Sequence, residues 1–142
     1  MNEHTVAADA GYSFLEVRID GLLHMRIVNK KLLAIVAQPD VRNGIWRIHF
    51  ALKGGSTWTT YDDERLWAQV VDAIGQHFRL QTLSGARIWI DAEKMLGVTS
   101  WGTKADKDWT IEWAMEGSEY ARATYKSRQD WHAALKALEA SA

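Results

Sequence analysis

From Trp46 to Ile74 the chain reads W-R-I-H-F-A-L-K-G-G-S-T-W-T-T-Y-D-D-E-R-L-W-A-Q-V-V-D-A-I. Its first part alternates. Trp46, Ile48, Phe50 and Leu52 fall on one side of an extended chain, and Arg47, His49, Ala51 and Lys53 fall on the other, because successive strand side chains point to opposite faces. Gly54-Gly55 supplies a turn. Ser56 to Tyr61 is rich in Thr and aromatic residues, which suit a pleated surface. Asp62-Asp63-Glu64 then opens a helix, where an acidic side chain caps free N–H groups and suits the positive end of the helix dipole. Leu66, Trp67, Val70, Val71, Ile74 and Phe78 follow at helical spacing, which predicts a helix to about Phe78.

The same order returns between Trp109 and Leu138. Trp46, Ile48, Phe50, Leu52 and Gly54 match Trp109, Ile111, Trp113, Met115 and Gly117, each 63 positions later. Upstream, Met25, Ile27, Leu33 and Ile35 match Ile88, Ile90, Leu96 and Val98 at the same offset. Tyr61, Trp67, Val71 and Ile74 match Tyr125, Trp131, Leu135 and Leu138 at an offset of 64. One additional residue therefore enters the second strand–strand link. Lys31 and Lys94 also correspond.

Working outward, Leu15, Val17 and Ile19 alternate with Glu16 and Arg18 before the hairpin signal Asp20-Gly21. Leu23, Met25 and Ile27 then alternate with His24 and Arg26. Leu32 to Gln38 scarcely alternates, which predicts a strand covered on both faces. Arg79 to Leu83 is the expected counterpart of the first strand, before Ser84-Gly85. The predicted fold is α+β: a tandem internal repeat of four to five antiparallel strands followed by one helix. Residues 1–12 are expected as a loose arm, 13–76 as the first repeat and 77–140 as the second. A unit of this size is near the lower limit of independent stability, so the two repeats are expected to share one core with pseudo-two-fold symmetry, in a single domain spanning 1–142.

Composition excludes more than it suggests. With a net charge of −1 there is no bulk field toward nucleic acid or anionic membrane. The absence of Cys removes disulfides, thiolate metal sites and Cys nucleophiles. No run of apolar residues reaches the length of a membrane span, and none marks a leader; the cytoplasm is the expected location. The eight Trp residues sit mostly at core-facing periodic positions.

No catalytic motif stands out. His4, His24, His49, His77 and His132 make no H-x-x-x-H or H-E-x-x-H pattern. His24 and His49 could share a sheet face, but two half-exposed strand histidines account for them more simply. No Ser lies in G-x-S-x-G. Asp62-Asp63-Glu64 is explained by helix capping, and Asp106 and Asp108 by a turn. Gly54-Gly55 joins strands and precedes no helix, so it is no phosphate cradle. The chain is read as non-catalytic, with no cofactor and no metal.

One sheet face does gather charge. Opposite the apolar positions of the first unit lie Arg18, His24, Arg26, Arg47, His49 and Lys53, with Glu16 the one acid in that alternating set. These six are the candidate ligand-binding residues. The corresponding face of the second unit carries Arg87, Trp89, Thr110, Glu112, Glu116, Tyr120 and Arg122. A cationic face of this kind can hold an anion or a nucleic-acid backbone.

Strands followed by a helix, doubled in one chain, resemble the PUR-repeat and Whirly-type nucleic-acid-binding folds in topology. No family motif accompanies the resemblance, and a shared topology does not carry function. The leading expectation is a binding protein of the inhibitor, sequestering or immunity kind. It would recognise a small anionic ligand or a protein partner on a sheet face or subunit seam. The alternative that the resemblance implies is single-stranded nucleic-acid binding, with Arg18, Arg26, Arg47 and Lys53 on phosphates and Trp58 or Trp89 stacking bases. Leftover apolar strand surface favours a homodimer and the duplication a compact monomer. A membrane partner is not expected.

Overall fold

The computed structural model describes residues 4–40, 43–103 and 108–141. Among them are eleven strands, all paired antiparallel, and two α-helices, an α+β arrangement. The strands are β1 (Val6–Ala10), β2 (Phe14–Ile19), β3 (Leu22–Val28), β4 (Leu32–Asp40), β5 (Ile45–Leu52) and β6 (Gly55–Tyr61), followed by α1 (Glu64–Gly75). Then come β7 (Gln81–Leu83), β8 (Ala86–Ile90), β9 (Met95–Thr103), β10 (Asp108–Met115) and β11 (Glu119–Tyr125), followed by α2 (Arg128–Ala140). Asp106 lies outside the described residues.

Three sheets result, ordered β1-β2-β3, β6-β5-β4-β8-β7 and β11-β10-β9. The middle sheet draws strands from both halves of the chain, with Ala34 opposite Ile90 and Ala37 opposite Arg87. That places β4 between β5 and β8 and accounts for its weak alternation. Leu32, Ile35 and Ala37 pack into one core with β2, β3, β5 and α1. Leu33, Ala34 and Val36 pack into another with β8, β10, β11 and α2. A nearly all-apolar strand is what a position covered on both faces requires.

Local chemistry explains the turns and helix starts. Asp20 (φ 53°) and Gly21 (φ 80°) turn β2 into β3, and Ser84 (φ 49°) and Gly85 (φ 91°) turn β7 into β8. Two successive positive φ angles are the hairpin geometry that matches strand twist. Asp63 caps α1 by accepting from the Arg65 N–H, and Ser127 caps α2 by accepting from the Asp130 N–H. α1 stops at Gly75, short of Phe78, whose ring meets Trp89 edge-on at 4.9 Å. The turn between β10 and β11, Glu116–Ser118, is one residue longer than that between β5 and β6, and its Gly117 has φ 76°.

Val6–Ala10, expected within a loose arm, forms β1 against β2. The chain entering it is tied to the Asp20 turn. The Thr5 N–H donates to Asp20 Oδ1 at 2.9 Å, and the Asp20 N–H donates to the Thr5 carbonyl at 2.8 Å. Small alternating side chains let β1 lie close under α1: Val6, Ala8 and Ala10 all pack on its core.

Two tryptophan pairs hold the helices to their sheets. Trp46 and Trp67 stand 5.0 Å apart, and the Trp67 Nε1–H donates to the Arg47 carbonyl at 3.0 Å. Trp109 and Trp131 stand 5.1 Å apart, and the Trp131 Nε1–H donates to the Thr110 carbonyl at 3.0 Å. Among the described residues, no helix is long and apolar enough to cross a membrane.

Candidate functional site

A cleft of about 980 Å³ opens where β4, β5 and β6 face β11. Strand alternation builds its walls. On β5, Ile48 and Phe50 enter the core beneath α1, which turns Arg47 and His49 to the opposite face. On β11, Ala121, Ala123 and Tyr125 are buried, which turns Tyr120, Arg122 and Thr124 outward. Gln38 locks the seam. Its Nε2 donates to the Thr124 carbonyl at 3.0 Å, and its Oε1 accepts from the Thr124 N–H at 3.1 Å. The side-chain amide thus stands in for a neighbouring strand along the edge of β11.

The lining combines charge with exposed rings. Arg47 pairs with Asp40 at 2.6 Å, yet its Nε is buried without a hydrogen-bond partner. The rest of the side chain is open to the cleft, at 41% exposure. Trp58 is 59% exposed and Tyr120 53% exposed, both on the cleft wall. Lys126, Asp108 and Glu119 also line it, and the Ser56 hydroxyl donates to Glu119 at 3.4 Å. Burial, with the Arg47 charge adding to it, holds the His49 imidazole below its ordinary value of 6.5, against a weaker opposite pull from Glu119. His49 is therefore neutral at pH 7, with its ring 6.2 Å from that of Trp58.

The six candidate residues separate. Arg47 and His49 meet in the cleft. Arg18 and Arg26 lie on the β1-β2-β3 sheet, both within ion-pair reach of Glu16, at 3.6 and 3.0 Å. His24 turns to Tyr61 across a 2.5 Å hydrogen bond. The Thr59 hydroxyl donates to the same Tyr61 oxygen at 3.2 Å. Burial lowers the His24 imidazole and raises the Tyr61 phenol, which keeps both neutral. Lys53 is exposed in the β5–β6 turn. Arg47 and His49 are thus on a different sheet from Arg18, His24 and Arg26, a division invisible to alternation alone.

Of the two stacking candidates, Trp58 is open and Trp89 packs against Phe78. Gln38, Asp40, Glu119 and Lys126 had no signal in the sequence, because each matters only through the approach of β11 to β4 and β5. Among the described residues, no three His, Asp or Glu side chains converge as a metal centre would need. Compared with family models, curated proteins and solved structures, the chain gives no match.

Proposed function

We propose that the protein is a non-catalytic binding protein whose seam cleft takes a small anionic ligand carrying a planar ring. The observation that carries this reading is the part-exposed Arg47 guanidinium in a cleft walled by the open rings of Trp58 and Tyr120. An anionic oxygen would satisfy the guanidinium in the fork geometry Arg favours. A ring would stack on Trp58, an interaction worth about 1–3 kcal/mol for a nucleobase. Neutral His49 adds a hydrogen-bonding group with no charge to repel or attract. The fold reading proposed with this is two copies of one strand-and-helix unit with pseudo-two-fold symmetry. Its support is the corresponding Trp46–Trp67 and Trp109–Trp131 pairs, each with an indole bond to a strand carbonyl.

Titrating ATP and a short oligothymidylate against Trp fluorescence tests the ligand reading. Saturable ATP binding, weakened at least about tenfold (about 1.4 kcal/mol) in both Arg47→Met and Trp58→Ala, supports it. No ATP response up to about 1 mM, a level equivalent to only about 4 kcal/mol of affinity, overturns it for nucleotides. Tighter, salt-dependent binding of the oligonucleotide would transfer the cleft to single-stranded nucleic acid. Arg18 and Arg26 favour that second reading less than their sequence positions suggest, since Glu16 neutralises part of their charge.

A further inference from the structure

Among the described residues the three sheets end on six edge strands, and two of these, β3 and β9, stand out. Both are rich in exposed apolar side chains: Leu23 and Val28 on β3, Leu96, Val98 and Trp101 on β9. β9, M-L-G-V-T-S-W-G-T, has no charge and no proline, the devices that usually blunt an edge. Three of the four other edges are managed. β7 is three residues long, Gln38 occupies the edge of β11, and His77 on one side meets the Ala8 carbonyl of β1 at 2.9 Å.

The two open edges are counterparts of two edges that are joined. β9 corresponds to β4 and β3 to β8 at the 63-residue offset, and β4 pairs with β8. Transposing that register sets Val98 opposite Arg26 and Gly97 opposite Ile27. Extended along both strands, it sets Leu96 opposite Val28 and Trp101 opposite Leu23, matching exposed apolar residues two by two. The irregularities agree as well. β4 bulges at Leu33 and β9 at Leu96. The Leu33 carbonyl accepts from the Asp91 N–H at 2.9 Å. The corresponding groups are the Leu96 carbonyl and the Val28 N–H.

From this we infer that β3 of one molecule pairs antiparallel with β9 of a second copy of this chain, Val98 opposite Arg26. Used reciprocally around a two-fold axis, the two edges close a dimer. The inference rests on the proposed correspondence between the halves and is independent of the cleft, which neither Arg26 nor Val98 lines.

The absence of Cys makes the test clean. Directly opposed residues on antiparallel strands have Cβ atoms close enough for a disulfide. Arg26→Cys and Val98→Cys, both at exposed positions, are purified separately, mixed and mildly oxidised. A disulfide that joins the two different variants, with little linkage in either alone, supports the pairing. Linkage within either variant alone, or no linkage, overturns it. So does an intrachain disulfide in the Arg26→Cys, Val98→Cys double variant, which would show one chain closing on itself. Light scattering of the unmodified protein stands apart from any folding defect in the variants. A mass twice the 16.1 kDa of one chain is expected, and a monomer at about 100 µM, where even about 5.5 kcal/mol of affinity would populate the dimer, overturns it.

Discussion

β4 and β9 begin 63 positions apart in the chain and meet opposite fates. Each is nine residues long, follows a 3-10 turn ending in Lys, bulges at its second residue and pairs with the strand after it. β4 has a neighbour on each side and apolar layers on both faces. β9 has β10 on one side and no strand on the other among the described residues. Leu33 is buried where the corresponding Leu96 is 70% exposed. What separates them is whether a hairpin from elsewhere in the chain docks alongside. β8 docks against β4, while β3 remains in its own sheet. Two strands of similar make-up thus become a core element and a sheet edge, depending on a contact made far away in sequence.

The sharpest way to break the comparison is to truncate both leucines. Leu33→Ala should cost about 2–5 kcal/mol in urea unfolding, as buried Leu→Ala changes do. Leu96→Ala should stay within about 0.5 kcal/mol in dilute protein while weakening self-association. Equal costs would mean that β9 is covered within the monomer.

Next comes the far end of each strand, where a tryptophan of the following strand sits opposite. Pro39 faces Trp46 and Gly102 faces Trp109. A Cβ on Gly102 would collide with the Trp109 ring. Gly102→Val should therefore displace that indole and lower stability by about 1–3 kcal/mol, read by near-ultraviolet circular dichroism and urea. No spectral change would show that the ring lies elsewhere.

The helix tryptophans should respond more mildly. Trp67→Phe and Trp131→Phe each delete an indole donor to a strand carbonyl, worth about 1 kcal/mol. Trp67 is the more buried of the two, so its loss should be the larger. The reverse order would place the tighter helix contact in the second half.

The smallest effect compares His49 with Glu112, the residue at its corresponding position. Burial depresses the His49 imidazole below 6.5, so below that pH the unfolded chain binds the proton more readily than the folded one. The stabilising contribution is full above pH 6.5 and is lost as pH falls through the lower folded value. His24 acts in the same direction. His49→Gln should make stability between about pH 7 and pH 5 visibly flatter, whereas Glu112→Gln leaves the His49 imidazole, and with it that slope, in place. An unchanged slope in His49→Gln would mean a solvated imidazole.

Local chemistry was legible because its causes are local. Alternation at Trp46–Leu52, the Asp20-Gly21 turn, the Asp63 cap and the stripe from Leu66 to Ile74 all act within a few residues of themselves. β1 was missed because Val6, Ala8 and Ala10 are too small to register as an apolar stripe, although small size is what lets them pass beneath α1. The candidate site was half legible. Arg47 and His49 were marked by falling out of phase with Ile48 and Phe50. Their separation from Arg18 and Arg26 was not, because alternation fixes a face within one strand and says nothing of which sheet the strand joins.

The sequence by itself determined most of the strands, the turns and the helix starts, all governed by steric preference and the spacing of apolar residues along a few turns of chain. Only the tertiary structure decided that β8 would dock on β4, that β11 would close the cleft over Arg47, and that β3 and β9 would each keep an open edge. Strand pairing is made by backbone groups that every residue carries, so the choice among partners is set by how whole sheets and helices pack, which no single stretch of sequence encodes.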